Sequence, residues 1–219
     1  MKLDCVTRVC VFFLLAVTTA AAADAAAIAH AVDDHYNHLR TLQTEFTEVY
    51  HGSGMDRTET GTLWLKKPGK MRWEYRSPRE KLFLGDGKNA WFYLPGERQV
   101  RKTSMRKLDD LRSPLGFLLG KTRLEKELQG LSLAPDVAPL TPGNVMLRGV
   151  PTAMAERVTE VLLEVTPQSQ ITRLSMEQAD GSVMEYRFTD PKENVEIDEK
   201  RFRFAPPAGV EIIDGELGQ

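Results

Sequence analysis

The side chains that most often carry out chemistry are few in this sequence and poorly placed for it. All four histidines, His30, His35, His38 and His51, fall within the first 51 residues. A Ser-His-Asp triad would have to be built on one of them, and no G-x-S-x-G elbow accompanies any. His35 and His38 are three apart, a spacing that lets two helical imidazoles face one metal ion with Asp34 beside them. The run His30-Ala-Val-Asp-Asp-His-Tyr-Asn-His suits a solvated helix face better, and no second group of ligands completes a site. No metal and no cofactor are therefore expected. Carboxylate pairs such as Asp109-Asp110 and Glu125 with Glu127 occur, as they do in any acid-rich chain; spatial separation decides whether such a pair can act on a glycosidic bond. Gly52-Ser53-Gly54 lacks the lysine and the strand-to-helix setting of a phosphate loop. The basic runs at Lys66-Lys67 and Arg98–Lys107 read as the wet face of a sheet rather than an anionic-polymer site. A binding protein is expected, not an enzyme.

Composition narrows the class. The 219 residues contain 42% hydrophobic and 27% charged side chains, the profile of a folded globular chain. A formal net charge of −2 gives no general attraction to nucleic acid. The first 23 residues form an address: Lys2 and Arg8 precede the apolar run Val9–Val17, and Thr18–Ala23 is small and alanine-rich. That is the layout of a secretory signal peptide with cleavage after Ala23 or a neighbouring alanine, and the run is too short for a stable anchor. Both cysteines, Cys5 and Cys10, lie inside it, and Cys10 stands at the start of the apolar run where a lipidated cysteine would follow it. The mature chain, residues 24–219, is thus expected to be a single exported domain without disulfides, soluble in a periplasm. Its core is large enough to need none.

The elements that must position any site follow from periodicity. Asp24 is a candidate cap for a helix over Ala25–Leu42, where Ile28, Val32, Tyr36, Leu39 and Leu42 make one stripe. From Thr44 the period changes to two. Met71, Trp73 and Tyr75 alternate with Arg72, Glu74 and Arg76 as a half-buried strand. Leu82–Leu84 and Ala90–Leu94 flank a turn-rich link, and Ile171–Gln178 pairs with Ser182–Thr189 through Ala179-Asp180-Gly181. In the latter arm Met184, Tyr186 and Phe188 share one side. Val145–Arg148, Glu160–Thr166 and Arg201–Phe204 read as further strands, and Leu124–Leu133 fits helix or strand. Lys107–Lys121 carries leucines at helical spacing broken by Pro114 and Gly116, so a broken helix packed on the sheet is expected.

One region stands out for bulk. Trp64, Trp73, Trp91, Phe83, Phe92, Tyr75 and Tyr93 fall within 30 consecutive residues on adjacent strands. They make either an ordinary core or a curved sheet whose concave face receives a greasy ligand under a helical cover. Pattern alone leaves both open.

The stretch Gly61-Thr-Leu-Trp-Leu-Lys-Lys-Pro-Gly-Lys-Met-Arg-Trp-Glu-Tyr75 resembles a signature of the LolA family, periplasmic carriers of outer-membrane lipoproteins. Ser77-Pro78, Asp86-Gly87-Lys88, Trp91-Phe92-Tyr93, Gln99-Val100 and the ending Phe202–Val210 match in register. The resemblance implies a mainly β fold: an incomplete antiparallel β-barrel with an N-terminal helix and a central helical lid over a hydrophobic cavity. It implies acylated lipoproteins as cargo, taken by a monomeric shuttle from an inner-membrane ABC-type lipoprotein-releasing transporter to an outer-membrane lipoprotein receptor. Carried over by position, Met71, Trp73, Tyr75 and Phe83 face the cavity, with Phe92 added from the aromatic run. Leu115, Phe117, Leu118 and Leu119 fall in the lid, and Lys67 stands where the family's arginine locks the lid closed. Lysine keeps the charge without the planar fork of donors. A periplasmic sensor of lipids or lipoproteins on the same half-barrel is the alternative role.

Overall fold

The computed structural model describes residues 14–106 and 123–215. A helix, α1 (Leu14–His38), is followed by six strands: β1 (Thr41–Gly52), β2 (Met55–Lys66), β3 (Lys70–Ser77), β4 (Lys81–Asp86), β5 (Asn89–Tyr93) and β6 (Gln99–Ser104). A single helical turn, α2 (Leu124–Glu127), leads into β7 (Leu128–Leu133), β8 (Val145–Pro151), β9 (Val158–Val165), β10 (Ile171–Gln178), β11 (Val183–Glu193) and β12 (Glu211–Asp214). All twelve strands form one open sheet in the order β12-β6-β5-β4-β3-β2-β1-β11-β10-β9-β8-β7. Every pair is antiparallel except β12 beside β6. The sheet rolls into an incomplete barrel, and its inner face holds the main core.

Local chemistry explains the long central hairpin. Ser53 and Gly54 both have positive φ, 51° and 74°, between the paired Gly52 and Met55. Two successive left-handed residues match the twist of the strands on either side. β1 and β2 then stay in register for their full twelve residues, which places them at the middle of the sheet.

On α1, Ala25, Ala29, Val32 and Tyr36 recur at helical spacing and are all buried in the core. The helix packs against β7 and α2. It ends at His38 rather than Leu42, because Thr41 and Leu42 pair with Lys66 and Leu65 of β2. Leu39 and Leu42 are buried as the stripe required, but from a link and a strand. Asp24 lies inside the helix instead of capping it, since the alanine-rich stretch before it is itself helical.

Other boundaries moved for reasons of pairing. Leu124–Leu133 is both things expected of it, one helical turn and then β7. Arg201–Phe204 is not a strand: Glu199–Phe202 is a 3-10 turn whose Asp198 carboxylate caps Lys200 N–H, and the last strand lies later, at β12. The broken helix expected over Lys107–Lys121 lies outside the described residues.

Candidate functional site: an aromatic trough on the inner face

Directly opposed residues of antiparallel strands point to the same face, so the register draws the inner surface row by row. One row runs Leu42, Leu65, Met71, Gly85, Ala90. The next runs Leu63, Trp73, Phe83, Phe92, Arg101. A third runs Phe188, Phe46, Gly61, Tyr75, Lys81. Five residues expected to line a cavity, Met71, Trp73, Tyr75, Phe83 and Phe92, therefore share one face.

Trp73 is the hub. It is 3% exposed, and its ring meets Phe46 at 4.8 Å, Tyr186 at 5.8 Å and Phe188 at 6.5 Å between centroids. Tyr75 meets Phe46 edge-on at 4.8 Å. All but the tilted Trp73–Phe188 pair are edge-to-face, the favoured geometry of aromatic quadrupoles. Two glycines leave space for inner-face side chains. A Cβ on Gly61 would sit 2.7 Å from the Phe46 ring, and one on Gly85 would sit 2.9 Å from Met105 Sδ. Farther from the hub, Phe83 and Phe92 are only half-buried. Greasy surface thus fades into accessible surface along a single row that ends at the exposed Arg101.

Sequence reasoning missed Phe46, Tyr186 and Phe188 as members of this surface. The alternation of Met184, Tyr186 and Phe188 was visible, but not that β11 lies beside β1. Three of the clustered aromatics went elsewhere. Trp64, Trp91 and Tyr93 point to the outer face, where Trp64 packs with Ile197 and Phe202, while Phe204 stacks on Trp91 at 5.1 Å and meets Tyr93 at 5.9 Å.

The trough has a polar end. Glu48 and Glu59, opposite each other on β1 and β2, are each 4% exposed. Like charges in direct opposition are unfavourable, and here they are answered. Tyr75 Oη donates to Glu48 at 2.7 Å, Lys81 Nζ to Glu59 at 2.5 Å, and Arg57 lies 3.2 Å from Glu59. Burial first, then the neighbouring carboxylates, hold the Tyr75 and Tyr186 hydroxyls far above the usual tyrosine range. Both stay protonated, and Tyr75 donates to Glu48.

Lys67 sits in the turn between β2 and β3 and reaches α1. Its ammonium donates to the carbonyl oxygens of Tyr36 and, at 3.0 Å, Asn37, while its own N–H donates to Arg40 O. A cation on the last carbonyls of a helix complements the dipole and satisfies orphan acceptors. Partial burial lowers the Lys67 pKa. The lid residues Leu115, Phe117, Leu118 and Leu119 lie outside the described residues. His35 Nε2 donates to the Glu193 carboxylate at 2.9 Å, and His38 Nδ1 donates to the Asp34 carbonyl one turn back. No group of three or more metal-ligating side chains occurs among the described residues.

An open, rolled sheet with an aromatic inner trough and a helix laid along it defines a half-barrel built around a hydrophobic interior. Residues 37–205 match the family model described as outer membrane lipoprotein carrier protein LolA, and the chain belongs to that family. It is 28% identical to the outer-membrane lipoprotein carrier protein of Nitrosospira multiformis, over 97% of this chain and 99% of that one. It is 30% identical to the carrier of the same description from Alkalilimnicola ehrlichii, over 84% and 83%. In fold it is similar to an uncharacterized conserved protein from Thermus thermophilus, with TM-score 0.55, 12% identity and coverage of 86% and 97%. The Mycobacterium tuberculosis lipoprotein LppX is similar at TM-score 0.50 and 12% identity, over 80% and 98%.

Proposed function

We propose that this protein shelters the acyl chains of lipoproteins in the trough centred on Trp73 and carries them across a periplasm. The observation that carries the reading is the row Trp73, Phe83, Phe92: apolar bulk on the inside of an open sheet, graded from fully buried to half-buried. The family membership of residues 37–205 supports it.

The energetics suit a carrier. Each methylene exposed to water costs about 0.8 kcal/mol, so two or three acyl chains amount to tens of kcal/mol. No noncovalent site exceeds about 18–21 kcal/mol. The trough therefore shields the chains in part, receives them from an energised inner-membrane transporter of the ABC type, and yields them to an outer-membrane receptor. Residues 1–23 serve as the export signal, and residues 24–219 form the one working domain. Lys67 acts as a latch by holding the C-terminal end of α1 to the β2–β3 turn. Leu115, Phe117, Leu118 and Leu119 serve as the removable cover.

The test is incubation with inner-membrane vesicles, ATP and the lipoprotein-releasing transporter, reading whether a lipoprotein leaves in a soluble one-to-one complex. The native protein forms the complex and Trp73→Asp does not, while both are exported. Normal release by Trp73→Asp would remove the trough from the mechanism.

A further inference from the structure

Glu164 is 1% exposed and takes no part in the trough. Leu163 beside it and Leu147 across the ladder belong to the main core, so alternation turns Glu164 to the outer face of β9. A carboxylate buried there is costly unless it is well hydrogen-bonded. Its bonds come from the connection between β7 and β8, residues 134–144. Leu140 N–H donates to Oε2 at 2.9 Å, while Thr141 N–H and Asn144 Nδ2 donate to Oε1 at 3.0 Å and 2.8 Å. One side chain thus fixes the shape of the loop's tip.

The tip held in this way differs from the rest of the surface. Residues 137–145 carry no charge, in a chain in which 27% of side chains do. The flanking Asp136 is paired with Arg148 at 2.7 Å. Leu140 is 53% exposed and Val145 37%. Within residues 139–144, Pro139 and Pro142 have no N–H, those of Leu140 and Thr141 go to Glu164, and that of Asn144 goes to Thr141 O at 3.2 Å. Gly143 is the exception. Unpartnered backbone donors are what hold most loops in water, because each is costly to dehydrate. This loop turns its donors inward and its leucine outward. Met55, 57% exposed at the β1–β2 tip, shows the ordinary arrangement, set beside the charged Asp56 and Arg57.

An uncharged apolar knob with few open donors matches the interface of a lipid bilayer, where the leucine enters the acyl region and the carbonyls keep headgroup water. A protein partner would be gripped through aromatic or arginine anchors, and residues 137–145 contain none. An anion-seeking contact would need the cations that the tip lacks. We infer that the β7–β8 loop, shaped by Glu164, is a membrane-contact element that places Leu140 in a neutral lipid surface. The contact is weak and reversible, as befits one leucine. It lies on the outer face and does not depend on what the trough holds.

The protein is expressed with Cys5→Ser and Cys10→Ser, so that one new cysteine, Leu140→Cys or Met55→Cys, takes a polarity-sensitive fluorophore after export. With phosphatidylcholine vesicles the Leu140→Cys label should shift to the blue and be quenched by nitroxides on the acyl chains, while the Met55→Cys label stays in water. The response should persist when salt is raised about ten-fold, since screening acts on charges alone. In flotation of unlabelled protein, Leu140→Glu should lower the vesicle partition coefficient about ten-fold, the scale of withdrawing one leucine from lipid. Its melting temperature should stay native because the residue is exposed, so that loss is not one of folding. Glu164→Gln, assayed well below its melting temperature, should lower the coefficient about five-fold, since one acceptor oxygen is lost and a tip donor is set free. Identical behaviour of the two labels overturns the proposal, as does a response abolished by salt or a Glu164→Gln protein that partitions like the native one.

Discussion

The two faces of the β2–β6 region are made of the same material and are finished differently. On the inside, Trp73, Phe83 and Phe92 form a row that ends half-exposed; on the outside, Trp64, Trp91 and Tyr93 are overlaid by the chain's own ending. The outer cover is fastened by charge. Glu199 bridges Lys66, at 2.7 Å, and Lys70 on either side of the β2–β3 turn, and the Arg201 guanidinium lies 4.4 Å from the centre of the Trp64 ring. β12 then zips onto β6. The inner face has α1 at one side, clasped through Lys67, Tyr36 and the Asp33 carboxylate that accepts Leu124 N–H at 3.0 Å. Aromatic bulk is overlaid on the outer face and grades into accessible surface on the inner one.

The sharpest way to break this comparison is to damage each face separately. Phe202→Ala removes the 1%-exposed anchor of the outer cover. It should cost about 3–5 kcal/mol and lower the melting temperature by roughly 10 °C, while the folded fraction still takes up apolar dye. Loss of dye uptake with stability intact would show that the outer cluster is not merely structural. On the inner face, Phe92→Glu should do the reverse. Dye affinity falls about ten-fold, in line with roughly 1.5–3 kcal/mol for burying a phenyl ring, and the melting temperature moves by no more than about 3 °C. Unchanged affinity would take Phe92 out of the trough.

Smaller effects refine the fastenings. Lys67→Ala frees the α1 carbonyls and should cost about 1 kcal/mol, the value of charged hydrogen bonds discounted for solvent exposure, or about 2–4 °C in melting temperature. Lys67→Arg should move it the other way, since the rigid planar fork loses less freedom for each of the two bonds that the lysine already makes. Protonation loosens the outer strap. Hydrogen bonds from Lys66 and Lys70 hold the Glu199 carboxyl down to about 2, against its ordinary 4.5. A depressed folded-state pKa stabilises fully above the ordinary value and is lost as pH falls through the depressed one. Emission from Trp64 and Trp91 should therefore change between pH 4.5 and 2, and Glu199→Gln should remove that transition.

Much of this was legible in the residues. The alternation over Met71–Tyr75 reads directly as β3, and the Ala179-Asp180-Gly181 link reads as the β10–β11 hairpin because turn chemistry is local. Other features were hidden for a physical reason. β12 is four residues long and gains its place only by pairing in parallel with β6, over a hundred positions earlier. Lys67 could be recognised as important from its place in the signature, yet its partners, the carbonyls of Tyr36 and Asn37, are named only by the docked helix. Gly61 opens the signature, but only the packed sheet shows the Glu74 carbonyl and the Phe46 ring filling the space a Cβ would take.

The sequence by itself determined the two-residue period of strands such as β3 and β11 and the family to which the chain belongs, since period and motif are properties of neighbouring residues. Only the tertiary structure decided that Trp73 faces inward and Trp91 outward. A strand has two faces of equal standing until something distant covers one. Here the covering segments are α1, which meets the sheet at Lys67 and Ile171, and the strap from Ile197 to Phe204, which reaches Trp64 and Trp91 from the far end of the chain.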